Sequence, residues 1–216
     1  MTCKLSENRD NGSGEVEAND TAFRLAPDAD ESLSRYHQRH RGAFSFGYEL
    51  PFGTGRHWLN SGGPVAYVLG EWQVQGVIRA GSGFPYTLSG TNVCTCGSFV
   101  PQRVNYAPGR ESGGALDDPT VAQWYDKTAY VLPAAGFQGT AGRNTLIGPS
   151  SKSVDFSMSK RFPLGASRLE FRWDIFNLFN TTNFGQPDGN INNVTAGVIS
   201  TADDARSMQF GIRLAW

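Results

Sequence analysis

No run in this 216-residue sequence approaches the ~20 consecutive apolar positions of a membrane-spanning helix, which excludes a membrane crossing by helices. Charge is scarce as well: Asp, Glu, Lys and Arg make up 18%, against ~25% in an ordinary globular domain. With 19 basic and 20 acidic residues the net charge is −1, so the clustered basic surface of a nucleic-acid binder is missing and no such partner is expected. Low charge does not exclude a membrane, because a β-barrel meets lipid with apolar side chains. Histidine is limited to His37, His40 and His57, and His37-x-x-His40 has no third ligand at a suitable spacing. Cysteine is limited to Cys3, Cys94 and Cys96; one Cys-x-Cys supplies fewer ligands than a metal site needs, so a local Cys94–Cys96 disulfide or two idle thiols is expected ahead of metal binding or redox chemistry. Gly81-Ser82-Gly83 lacks the spacing of a nucleophile elbow, no Gly-rich phosphate loop follows a strand, and Asp28, Asp30 and Glu31 do not follow the calcium-loop pattern. No catalytic residue, metal site or cofactor is therefore expected. Met1-Thr2-Cys3-Lys4 opens a polar run without the apolar core of a signal peptide.

What the sequence does contain is alternation. Residues 1–40, rich in Asp, Glu and Asn, read as a polar arm or loop. From 41 to 216 period-two patterns recur, predicting strands near 42–52, 68–88, 152–162, 167–179 and 206–216. Phe44, Phe46, Tyr48 and Leu50 share one face of the first. Trp72, Val74 and Ile78 share one face of the second, which extends through Phe84, Tyr86 and Leu88. Val154, Phe156, Met158 and Phe162 do so in the third, where Lys160 interrupts the apolar face once. Leu169, Phe171, Trp173 and Ile175 alternate with Arg168, Glu170, Arg172 and Asp174, and Met208, Phe210, Ile212, Leu214 and Trp216 close the chain. Between the second and third strands, residues 90–150 show no strong period, yet Trp124, Tyr125, Tyr130 and Phe137 require part of that stretch to be ordered.

Alternation alone fits a soluble sandwich or a membrane barrel. Three details favour the barrel. The last strands run to about ten residues, the length of a tilted membrane-spanning strand. Aromatics crowd the apolar face near strand ends, at Phe52, Phe162, Phe176, Phe179 and Trp216, as interfacial girdles do. An up-and-down order puts the connections 53–65 and 163–167 on one side, and the long ones, 90–151 and 181–205, on the other, matching short periplasmic turns and long extracellular loops. The fold class expected is all-β: an antiparallel meander of about five long strands, part of a transmembrane β-barrel. Phe44, Phe46, Tyr48, Trp72, Phe171, Trp173, Phe210 and Trp216 are expected to face lipid or the girdle. Arg168, Glu170, Arg172 and Asp174 are expected to face the lumen, most simply as charge pairs across neighbouring strands.

At the last two strands a resemblance becomes visible. Phe171-Arg172-Trp173-Asp174-Ile175-Phe176-Asn177-Leu178-Phe179-Asn180, followed by Asn183-Phe184-Gly185-Gln186-Pro187, resembles the penultimate-strand signature of TonB-dependent outer-membrane receptors, closest to their Oar-like branch with a carboxypeptidase-regulatory-like domain. The final Arg206–Trp216 strand resembles that family's closing strand, in which Phe210 and Trp216 would carry the signal read by the barrel-assembly machinery. Tyr48-Glu49-Leu50-Pro51-Phe52-Gly53, Gly70-Glu71-Trp72-Gln73, Ser82-Gly83-Phe84-Pro85 and Gly142-Arg143-Asn144 occur in the family's order, so the similarity runs from about residue 35 to the end. The resemblance implies the barrel wall of a ligand-gated importer in the bacterial outer membrane. Its partners would be lipid, the assembly machinery, the plug and remaining strands, and TonB through an N-terminal part. Such receptors have a plug and about 22 strands; about five strands cannot close a barrel, so the chain is expected to be the C-terminal part of a larger gene. A stand-alone soluble β-barrel binding a small ligand is the alternative, and a hydrolase a more distant one.

Overall fold

The structure, a computed structural model, describes residues 1–11, 31–90, 102–135, 137 and 139–216. Cys94 and Cys96 lie outside the described residues. Six strands form one continuous antiparallel sheet in sequence order: β1 (Thr2–Leu5), β2 (His40–Glu49), β3 (Trp72–Gly81), β4 (Ser151–Leu164), β5 (Ser167–Phe176) and β6 (Ser207–Ala215). Each neighbouring pair from β2 to β6 is held by nine or ten aligned residues without a register shift. The β4–β5 hairpin has two turn residues, and Gly165 takes φ +65° at the first of them, as a type II′ turn requires. The sheet stays open, with β1 and β6 as its edges.

Register fixes the faces, because a slip of one residue would exchange them. Phe44 lies opposite Ile78, and Ile78 opposite Val154. Met158 lies opposite Trp173, which lies opposite Phe210. The apolar alternations of five separate segments therefore merge into one apolar face. Gly76 is the gap in β3's apolar series, and it has a steric cause: a Cβ there would stand 2.5 Å from the Phe46 ring, which lies across the glycine. Phe176 departs from expectation. It pairs with Ser207 and follows the parity of Asp174, so it belongs to the polar face rather than to the apolar girdle.

The hydrophobic core does not lie under this sheet. Ile175 is the one apolar residue of the six strands that is buried, if glycine is set aside. The main buried cluster, Leu88, Val104, Tyr125, Ala129, Tyr130, Ala141 and Leu146, sits instead within the 82–150 connection. Short ladders organise it: Pro85–Tyr86 with Leu146–Ile147, Asn105–Tyr106 with Tyr130–Val131, and Ala115–Thr120 with Gln123–Tyr125. The expected extension of the second strand through Leu88 is thus broken after Gly81, and the chain leaves the wall to build this loop core. Phe137 takes no part in that core and is exposed. At the opposite end of the sheet, the β2–β3 connection contains a short helix, α1 (Pro64–Leu69), which opens with Gly63 at the N-cap and Pro64 at the first helical position.

Candidate functional site

Two faces and a cleft among the long connections are places where this chain can meet other molecules. On the apolar face, Phe44, Phe46, Tyr48, Ile78, Met208 and Leu214 are exposed, with Phe210 at 63% and Ile212 at 74%. Trp72, Phe171, Trp173 and Phe210 form a connected aromatic row across β3, β5 and β6. Trp72 meets Phe171 edge-on at 6.0 Å, Phe171 lies 6.3 Å from Phe210, and Trp173 stacks on Phe210 at 5.6 Å. Trp216 follows the end of β6 and is almost fully exposed.

The polar face carries the charges. Arg79 Nη1 donates to Asp155 Oδ2 at 3.0 Å, and Asp155 Oδ1 also accepts from the Asn177 amide at 3.0 Å. Arg172 Nε donates to Asp174 Oδ1 at 2.9 Å along β5, while Glu170 stands opposite Arg213 on β6. Arg168 is exposed opposite Ala215. The four β5 residues singled out by sequence therefore share one face; the Arg172–Asp174 contact lies within their own strand. With Arg79 and Arg172 more than half exposed, such pairs contribute little to stability and keep the surface wet.

Of the two lysines that share the apolar parity of β4, Lys152 is exposed at the start of the strand and Lys160 is buried. Lys160 Nζ donates to the carbonyls of Tyr67 (2.5 Å), Val68 (3.1 Å) and Gly70 (2.5 Å) at the C-terminal end of α1. Its register partners are Trp72 and Phe171, and the Phe162 ring centroid lies 4.8 Å from the ammonium. The charge is thus satisfied by carbonyls and aromatic faces. Sequence reading saw the interruption without its cause, although Gly62-Gly63-Pro64 followed by Val-Ala-Tyr-Val-Leu carried the signal of a short helix.

A cleft of about 770 Å³ opens among the long connections, lined by Arg35, Tyr36, Phe84, Tyr86, Gln186 and Asp188, among others. The Tyr86 hydroxyl is buried without a hydrogen-bond partner among the described residues, and burial, with Tyr125 and Tyr130 adding to it, pushes its pKa far above the phenol range. Asp188 accepts from Thr195 Oγ1 (2.6 Å) and Asn193 Nδ2 (2.8 Å), and the Asn190 amide donates to it at 3.0 Å. Those bonds outweigh its burial and hold the carboxyl below its usual range. The three histidines are not brought together in this cleft: His37 is buried and accepts from the Asn8 amide at Nδ1, His40 opens β2, and His57 lies beside Trp58. Among the described residues no group of three His, Cys, Asp or Glu side chains is placed to hold a metal.

The loop core has an acid-sensitive support. Asp126 accepts from Thr128 Oγ1 (2.6 Å) and the Thr128 amide (2.9 Å), and from Arg110 Nη2 (2.6 Å). Chiefly the Thr128 hydroxyl, then Arg110, lower its pKa below 3.8. A carboxyl with a lowered folded pKa stabilises the fold above its unfolded value, and that contribution is lost as the pH falls through the folded value. Hydrogen-exchange protection of residues 105–131 should therefore decline below about pH 4, and Asp126→Asn should flatten this decline while lowering protection at neutral pH.

A continuous antiparallel sheet with one apolar face exposed, one charged face, and long connections gathered at one end defines the wall of a β-barrel rather than a globular sandwich. The family model for an outer membrane beta barrel domain matches residues 4–209, and the chain belongs to that family. No curated protein and no solved structure matches the chain.

Proposed function

We propose that this chain supplies strands to the barrel of a TonB-dependent outer-membrane receptor of the Oar-like branch, as part of the wall of a ligand-gated importer. The observation that carries this reading is the single apolar face, which the register assembles from five segments while leaving it exposed. In water such a face would be driven into a core; in a membrane it is the surface a barrel turns to lipid. In this reading Phe44, Phe46, Tyr48, Trp72, Phe171, Trp173, Phe210 and Trp216 meet lipid or its interface, and Arg168, Glu170, Arg172 and Asp174 line the lumen. Phe210 and Trp216 present the C-terminal signal to the barrel-assembly machinery.

The open sheet supports a larger whole. An unpaired strand edge is not tolerated in hydrocarbon, so β6 and the part of β2 beyond β1 need further strands beside them. A plug and a TonB-contacting segment would belong to that remainder, and the cleft beside Tyr86 would face the extracellular side. The chain itself performs no catalysis in this account.

The test is an immunoblot of native outer membranes with antibodies against residues 102–135, followed by site-specific cross-linking to TonB in energised cells. A band several-fold heavier than the 23.5 kDa of this chain, cross-linked to TonB, is the expected result. A native product of this size alone, recovered in the soluble fraction, would refute the receptor reading and favour a soluble ligand binder.

A further inference from the structure

We infer that α1 is a lipid anchor: a short apolar helix laid against the outer face of the barrel wall and inserted among the phospholipids of the periplasmic leaflet. The inference rests on the membrane reading of the apolar face and adds a second element to it.

The position of α1 follows from its contacts. Lys160, Trp72 and Phe162 all belong to the apolar face by register. Lys160 Nζ reaches the carbonyls of Tyr67, Val68 and Gly70, and Trp72 Nε1 donates to the Val68 carbonyl at 3.1 Å. The Tyr67 ring lies 5.7 Å from Phe162, and its hydroxyl donates to the Pro163 carbonyl at 3.2 Å. The helix is therefore fastened onto the apolar face at the end of the sheet where the β4–β5 turn and the end of β6 lie.

Fastening uses the polar groups and leaves the apolar ones outside. Only Ala66 of the six helical residues is buried, while Val65, Val68 and Leu69 are exposed by 58, 54 and 54%. Pro64–Leu69 contains no charge, and Trp58 is exposed in the same connection. A soluble turn of this length would be polar; this one is apolar where it points away from the protein.

Two observations name the occupant. Tyr67, 44% exposed, packs on Phe162 of the apolar face, and Leu164, the next residue of that face, is 49% exposed, so a covering of the wall at this end lies within reach of the helix. The mixture at the helix, Tyr67 and Trp72 with a lysine drawn in beneath them, is the composition that membrane interfaces select. Short turns of outer-membrane barrels lie on the periplasmic side, which makes the periplasmic leaflet the lipid within reach.

The test is spin-label accessibility in outer-membrane vesicles holding the complete protein, with Cys3, Cys94 and Cys96 replaced by serine and no other cysteine present. Labels are placed singly at Val65, Val68, Ser61 and Phe210, all exposed positions. The expected result is a ratio of oxygen to nickel-chelate accessibility at Val65 and Val68 several-fold above that at Ser61 and similar to that at Phe210. If Phe210 is lipid-accessible while Val65 and Val68 match Ser61, the anchor is overturned and the membrane reading stands. Protection of Val65 and Val68 from both reagents would show that protein covers the helix and would equally overturn the anchor. A water-accessible Phe210 would remove the membrane reading and the anchor with it.

Discussion

Ile212→Lys should destabilise the assembled barrel by roughly 2–4 kcal/mol, whereas Gln209→Lys should cost less than about 0.5 kcal/mol. The two residues stand on neighbouring turns of the same pleat: Ile212 lies opposite Phe171 on the apolar face, and Gln209 opposite Asp174 on the polar one. Ile212 is 74% exposed, so in a water-soluble protein its replacement by lysine would remove little packing and would rank among neutral surface changes. In hydrocarbon the same lysine has no water within reach, since its position near the middle of the nine-residue β6 is far from either end. Gln209→Lys adds a cation beside Asp174 on a wet face. Urea unfolding midpoints of the assembled protein separate the two cases, and equal midpoints would place both faces of β6 in water.

Lys160→Met tests the other unusual charge, and its sign is informative. If a lysine on a lipid-facing strand were merely an unpaired cation, methionine would relieve a cost and stabilise the protein. The structure gives the opposite expectation, because the ammonium is buried and donates to three carbonyls of the 67–70 segment. Hydrogen bonds to a charged group contribute ~1.5–3 kcal/mol each. Some of the freed carbonyls lie close enough to the surface to turn to water, so the net loss should be about 2–4 kcal/mol rather than the sum. The loss should be accompanied by faster proteolysis within 60–70, as α1 comes away from Trp72 and Phe162. An unchanged or raised stability would mean that the ammonium does not hold the helix.

The wall was the most legible part of this protein in its sequence, because a half-exposed strand writes its faces into every second residue. Phe171, Trp173 and Ile175 against Arg172 and Asp174 leave little choice of parity. Strand ends were less legible. Phe176 looks like a girdle residue on composition, yet its parity is set by the ladder with Ser207. Thr2–Leu5 pairs with His40–Ala43 although nothing in its four residues alternates clearly; pairing with an existing edge decides it. The loop core was legible only as an obligation. Tyr125 and Tyr130 had to be buried somewhere, but their partners Leu88, Val104 and Leu146 are scattered over some sixty residues without a period. The same holds for the cleft, whose lining comes from three separate connections. Lys160 shows the limit most plainly: as a letter it breaks a pattern, and only the helix laid over it explains why it is tolerated.

The most direct test of the account is a spin-label scan along β6, one cysteine at a time from Ser207 to Ala215, in native outer membranes. The account predicts a period of two: oxygen-accessible and nickel-protected labels at positions 208, 210, 212 and 214, and water-accessible labels at 207, 209, 211 and 213. Accessibility without that period, or water on both faces, would contradict the claim that this sheet is a barrel wall set in lipid.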